Sequence, residues 1–246
     1  MAILRSSQIV TNGLVFALDA ADQGSYISGS NTWYDLSGNS SNGALSGSST
    51  FNAANGGSIS FNGTNQNVNI SPFQNLQFTQ LQAYTIAVWL YWSSTASTGF
   101  DYPFCVTLPA GNTNQGSYYL TLDNGSLLTN SFLFDYNDST VGKSIQGAAN
   151  SITKNKWLYL VGTYSDNTTT TARFYINGTS VVVTSRLNQS PGPMGYTGMV
   201  AVIGGRGSST TPTFTGSISN IQIYNRALNA VEVLQNYNAS KGRFGL

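Results

Sequence analysis

Short runs in which apolar and polar residues alternate recur along this chain, separated by clusters of Gly, Asn, Ser and Pro. A period of two marks a strand with one buried face, and such clusters are where a chain turns. The pattern predicts strands over residues 14–18, 58–61, 67–70, 84–92, 104–108, 117–122, 132–136, 157–164, 172–176, 180–184, 200–203 and 216–224. Many short strands with few helical patterns indicate an all-β sandwich or barrel. The sharpest local signal is Asn177-Gly178 between two β-rich runs, a type I′ hairpin whose two central residues need positive φ. In Ser217-Ile-Ser-Asn-Ile-Gln-Ile-Tyr the apolar phase slips by one residue between Ile218 and Ile221, which predicts a bulge near Ser219-Asn220.

One segment reads as helical. Residues 229–237 open with Asn229 as N-cap and carry Glu232 three positions on, the capping-box pattern, with length for two or three turns. No composition shift or linker divides the chain. The Gly/Asn/Ser-rich stretch 93–151 reads as insertion loops within one domain. The organisation expected is an N-terminal arm over 1–12, one domain over 13–240 and a tail over 241–246.

Composition then removes whole classes of function. The 246 residues include 10 Lys+Arg, 9 Asp+Glu and no His, and only 8% are charged, against roughly 25% in an average chain. Without His there is no Ser-His-Asp triad, no imidazole base and no imidazole metal ligand. Cys105 is the only cysteine, which excludes an internal disulfide and a cysteine zinc site, and it reads as a small buried hydrophobe. A net charge of +1 speaks against nucleic acid as a partner. No apolar run approaches the roughly 18 residues of a membrane helix, and the start Met1-Ala-Ile-Leu-Arg-Ser-Ser lacks the apolar core of a secretory signal.

An ordered set of motifs then stands out. Gly13-Leu-Val-Phe-Ala-Leu-Asp-Ala-Ala is followed by Trp33-Tyr-Asp-Leu-Ser-Gly-Asn, Ser58-Ile-Ser-Phe-Asn-Gly-Thr-Asn-Gln-Asn-Val, Tyr84-Thr-Ile-Ala-Val-Trp-Leu, Asn155-Lys-Trp-Leu-Tyr-Leu-Val-Gly-Thr-Tyr and Phe174-Tyr-Ile-Asn-Gly. The chain closes on Phe214-Thr-Gly-Ser-Ile-Ser-Asn-Ile-Gln-Ile-Tyr-Asn-Arg-Ala-Leu. In that order they resemble the laminin-G-like, pentraxin-like branch of the concanavalin A-like lectin/glucanase superfamily, over nearly the whole chain apart from 93–151. The stretch Trp33-Tyr34-Asp35-Leu36-Ser37-Gly38 is also similar to versions found in structural proteins of tailed bacteriophages. The resemblance implies an antiparallel two-sheet jelly-roll sandwich with one short C-terminal helix. Its core is expected to hold Trp89, Phe174, Ile176, Ile221 and Ile223.

Candidate sites are few. A glycoside hydrolase needs two carboxyl groups roughly 5–9.5 Å apart, but the only glutamate, Glu232, reads as a helix-capping group, and Asp19, Asp35 and Asp101 show no paired spacing. Relatives in the family often hold Ca²⁺ at one rim. Here the family's Phe-Asp-Gly is Phe61-Asn62-Gly63 and the acidic pair that follows is Asn65-Gln66, so charge is missing there. The other oxygen-rich run, with Asp135, Asn137 and Asp138, reads either as a strand end with an Asx turn or as a Ca²⁺ site. For a glycan there is a geometric argument. In strands over 117–123 and 132–137, Tyr119 and Asp123 share one face, and Asp135 and Asn137 lie opposite the apolar side. One sheet could thus display Tyr119, Asp123, Asp135 and Asn137, an aromatic ring with polar groups for sugar hydroxyls. Exposed faces of an Asn-rich sheet carry a similar mix without any ligand.

The expectation that results is a non-enzymatic virion surface structural protein of a tailed phage, a capsid decoration or a tail or fibre component, that also adheres to host glycan. The alternative is a carbohydrate-binding lectin module and the distant alternative a glycoside hydrolase using aspartates. Its place would be the virion surface after synthesis in a host cytoplasm. Its partners would be other virion proteins or itself, a homo-oligomer with a trimer favoured, docked through 1–10 and 241–246, together with host surface polysaccharide. No cofactor is required, Ca²⁺ remains an option, and neither nucleic acid nor membrane insertion is expected.

Overall fold

The computed structural model describes residues 8–79, 82–95, 99–108, 117–137, 142–165, 172–189, 195–207 and 214–246. Among them, two antiparallel sheets pack face to face. The first contains β1 (Leu14–Asp19), β4 (Thr50–Asn52), β5 (Ser58–Asn62), β7 (Tyr84–Trp92), β12 (Trp157–Tyr164), β13 (Arg173–Ile176), β14 (Thr179–Val181) and β17 (Thr215–Tyr224). Its order is β14-β13-β12-β7-β17-β5-β4, with β1 also paired to β17. The second contains β2 (Thr32–Trp33), β3 (Asn42–Ser46), β6 (Asn67–Ser71), β8 (Phe100–Thr107), β9 (Ser117–Asn124), β10 (Thr129–Asn137), β11 (Gly142–Gly147), β15 (Val183–Asn188) and β16 (Val200–Ile203). Its order is β15-β11-β10-β9-β8-β16-β6-β3-β2. The helix α1 (Ala230–Ser240) and a 3-10 turn (Lys241–Phe244) complete the chain, an all-β jelly-roll sandwich. No helix among the described residues is long and apolar enough to cross a membrane.

Alternation decides which side chains meet between the sheets. From the second sheet come Tyr118, Leu120 and Leu122 of β9 and Phe132, Phe134 and Tyr136 of β10; from the first come Ile86, Val88, Leu90 and Trp92 of β7 with Ile221 and Ile223 of β17. Phe132 stacks on Phe174 across the gap, ring centroids 3.5 Å apart. Gly162 of β12 faces the ring of Phe134, where a Cβ would stand 2.6 Å from Cδ2. A side chain there would push the sheets apart.

Trp89 belongs elsewhere. It is fully buried, but it alternates with the residues just named and so points away from the sandwich core. It lies on the outer face of the first sheet, stacked on Phe244 at 4.1 Å and on Tyr237 at 5.6 Å, with Nε1 donating to Ser240 Oγ. Phe174, Ile221 and Ile223 are in the core, and Ile176 packs at its margin.

The local signals in the sequence hold. Asn177 (φ 52°) and Gly178 (φ 79°) turn β13 into β14. The β17–β7 register shifts between Ile218 and Asn220, which makes Ser219 the bulge. Asn229 and Glu232 form a capping box, and the helix runs to Ser240, beyond the expected 237. Residues 180–184 are not one strand: β14 ends at Val181, Val182 is exposed, and β15 begins at Val183 in the other sheet.

Both ends of the described chain are fastened to the first sheet. Val10 N–H donates to Asn236 Oδ1 at 2.7 Å, and Tyr224 donates to the Val10 carbonyl. Arg243 forks onto Asp19, at 2.8 and 3.0 Å, and reaches Ser219 Oγ. Residues 8–10 and 241–244 thus make their contacts within the chain, and residues 1–7 lie outside the described part.

Candidate functional site

The helix and the terminal segments cover the outer face of the first sheet. The outer face of the second is different. Its register lines up Cys105, Tyr119, Asp135 and Ser144 on β8, β9, β10 and β11, and beside them Thr121, Leu133 and Gln146. Directly opposed residues bring their Cβ atoms to about 4.5–5.5 Å. A hollow of about 200 Å³ opens over this face, lined by Phe100, Tyr102, Tyr119, Thr121, Leu133, Arg186 and Arg206.

Two bulges aim residues into it. On β8, Asp101 pairs with Leu122 and Phe104 with Leu120, so Tyr102 and Pro103 together oppose Thr121 alone. Pro has no amide hydrogen for a ladder and settles at such irregularities. On β15, Leu187 pairs with Ser144 and Ser185 with Ile145, leaving Arg186 as the extra residue. A bulge bends its strand and redirects a side chain. Arg206 arrives from the Gly-rich turn after β16. Its guanidinium carbon lies 5.4 Å from the Tyr102 ring centroid, and Nη1 donates to Tyr102 Oη at 3.4 Å. Tyr102 and Tyr119 meet edge to face at 5.7 Å.

Under this lining the polar groups are desolvated and unmatched. Asp135 is 1% exposed, with the Ser144 hydroxyl beside its carboxyl but no well-aligned hydrogen bond to either oxygen. Burial pushes its carboxyl up to about 7, a shift that Ser144 and the charge of Arg186 only partly offset. Thr121 Oγ1, Ser144 Oγ and Gln146 Nε2 are also buried without partners. Each orphaned polar group costs about 1–3 kcal/mol, and four neighbouring residues on three adjacent strands carry them. Burial also lifts the Tyr119 phenol, with a further contribution from Asp135, and pushes Tyr102 up to about 12 despite Arg206. The Cys105 thiol, raised to about 12 by burial, is unreactive.

The four residues singled out in the sequence share this face but not one point on it. Tyr119 and Asp135 are direct cross-strand partners. Asp123 lies at the far end, where its carboxylate accepts from the amides of Gly125, Ser126, Leu127 and Leu128 and shapes the β9–β10 turn. Asn137 lies at the other end, accepting from Ser117 Oγ. Asp138 falls outside the described residues. Tyr102, Arg186 and Arg206 escape a period-two reading because bulges and a turn place them; the signal for Tyr102 was the proline after it.

Other carboxylates have structural partners. Asp101 accepts from Trp92 Nε1 and Asn124 Nδ2, and Glu232 pairs with Arg226 at 2.7 Å. In the Phe61-Asn62-Gly63 turn, where the resemblance implies calcium, Asn62 Oδ1 accepts from the amides of Thr64 and Asn65. Amides already engaged in a turn do not fit a cation that wants several carboxylate oxygens. Among the described residues no three His, Cys, Asp or Glu side chains converge on a metal position.

Compared by sequence with curated proteins, the chain finds no match. Among solved structures, the binding domain of Paraclostridial Mosquitocidal Protein 1 superposes with a TM-score of 0.65 at 18% identity, over 93% of this chain and 52% of that one. The receptor binding domain of botulinum neurotoxin C/D mosaic serotype gives 0.64 at 14%, over 93% and 51%. The chain therefore spans about half the length of these toxin domains. Domain 4 of AbnA, a GH43 extracellular arabinanase from Geobacillus stearothermophilus solved with arabinotriose, gives 0.62 at 17%, over 91% and 98%. At these identities the likeness is one of fold. The family described as the concanavalin A-like lectin/glucanases superfamily matches residues 62–234, from the end of β5 into α1. With most of the sandwich inside that match, the chain belongs to the concanavalin A-like lectin/glucanases superfamily.

Proposed function

We propose that this chain is a carbohydrate-binding module that holds a saccharide in the hollow over β8, β9 and β10. The observation that carries the reading is the lining of that hollow: Tyr102 and Tyr119 meet edge to face beside Thr121, whose buried Oγ1 has no partner, with Arg186 and Arg206 next to them. A sugar presents what that face lacks: hydroxyls that donate and accept, and an apolar ring face that lies on an aromatic side chain. Structural neighbours that include a toxin binding domain and an arabinanase domain solved with arabinotriose support the lectin module over a virion-surface role.

The proposal is binding without hydrolysis. Asp123 stands opposite Ser131, four residues along β10 from Asp135. At ~3.3 Å per residue that is about 13 Å, beyond the span of roughly 5–9.5 Å at which two carboxyl groups cleave a glycosidic bond. The test is a panel of immobilised oligosaccharides probed with the whole chain and with Tyr119→Ala and Tyr102→Ala. Loss of an aromatic platform is expected to weaken retention roughly tenfold, while Val231→Ser, exposed on α1, leaves it unchanged. Equal binding by all four proteins would place any glycan site elsewhere.

A further inference from the structure

We propose that the saccharide taken by this hollow is acidic, its anionic group held by Arg186 and Arg206 while its ring lies against Tyr102 and Tyr119. This rests on the glycan-binding reading and names the class of sugar. The chain has only ten basic residues, yet two of them line one small hollow. Neither is there by strand alternation: a bulge redirects Arg186, and a turn delivers Arg206. Arg186 is exposed beside the hollow, while Arg206 is half-buried against Tyr102. Planar guanidinium groups hold a carboxylate or a sulfate through paired charge-assisted hydrogen bonds, whereas a neutral sugar needs neither charge.

The carboxyl nearby does not oppose this at moderate pH. Around Asp135 lie Tyr119 of β9, Tyr102 and Cys105 of β8, Ser144 and Lys143 of β11, Tyr84 of β7 and Arg186 of β15, with Arg206 beyond, against Tyr102. Their phenols and thiol stay protonated, so among the described residues lining the hollow the charged groups are the two arginines, and Asp135 beneath them ionises near pH 7. Above that pH a carboxylate forms under the lining and repels an anionic ligand.

The experiment is calorimetry and array binding with matched sets of oligosaccharides: neutral, uronate and sulfated members of the same backbones. Expected is at least roughly tenfold tighter binding of the uronate or the sulfated member over its neutral counterpart, the gain that one charge-assisted hydrogen bond supplies. That preference falls as salt rises, and it weakens between pH 6 and pH 8 in the native chain but not in Asp135→Asn. Arg186→Ala, on an exposed side chain, cuts the preference for the anionic member severalfold, and Arg186→Lys restores part of it. The uronate and sulfated arms distinguish a carboxylate from a sulfate. Equal or stronger binding of the neutral members overturns the proposal and leaves the glycan reading standing. No binding to any member overturns both.

Discussion

At the scale of single residues, Asp135 is a buried acid whose titration is moved into the neutral range. Burial raises its folded pKa from 3.8 to about 7. Between those values the folded chain keeps a proton that the unfolded chain has released. Stability contributed here is therefore lost as pH climbs from about 4 to about 7, and levels off above. Asp135→Asn removes the titration. It is expected to flatten that slope and to raise stability at pH 8 by about 2–4 kcal/mol, read from urea unfolding at pH 5 and pH 8. An unchanged slope in the variant would mean that another group titrates. That Tyr119 and Asp135 share a face was legible in the sequence, because alternation puts each on the polar side of its strand; that they are direct cross-strand partners came from the register. Arg186 was not legible, being the extra residue of a bulge that nothing in a period of two marks, and Tyr102 carried only the proline after it as a signal.

At the scale of elements, the sequence pattern found strands where apolar residues are dense and missed them where they are sparse. β11, Gly-Lys-Ser-Ile-Gln-Gly, has a single large apolar residue, Ile145, and is a strand because β10 and β15 pair with it on both sides. β2, β3 and β4, of 2, 5 and 3 residues, are similarly held by their neighbours. The strand β7 was found, but which of its faces meets the core was not evident, since both faces are buried. Trp89→Ala should cost about 3–5 kcal/mol and, because the ring lies under α1 and Phe244, should speed hydrogen exchange in α1 before the core strands. Exchange accelerated first in β9 and β10 would contradict that placement. Gly162→Ala, against Phe134, should cost about 1–3 kcal/mol by overpacking, seen as a lower melting temperature.

At the scale of the whole molecule, the sandwich has two unlike outer faces. One is mostly covered by α1, the last 3-10 turn and residues 8–10, with Arg243 on Asp19 and Phe244 on Trp89 as fastenings and an opening of about 520 Å³ left beside Tyr91, Trp157 and Leu246. The other keeps a hollow above unmatched polar groups. That asymmetry is the basis of the functional reading, and it came from pairing and bulges rather than from composition, which had only excluded His and Cys chemistry. The measurement that tests it most directly is an amide chemical-shift titration with the best-retained oligosaccharide. The account predicts that the largest shifts fall on β8, β9 and β10 and around Arg186 and Arg206, with α1 and β14 silent. Shifts confined to the rim near Asn62 or to the helix face would contradict it.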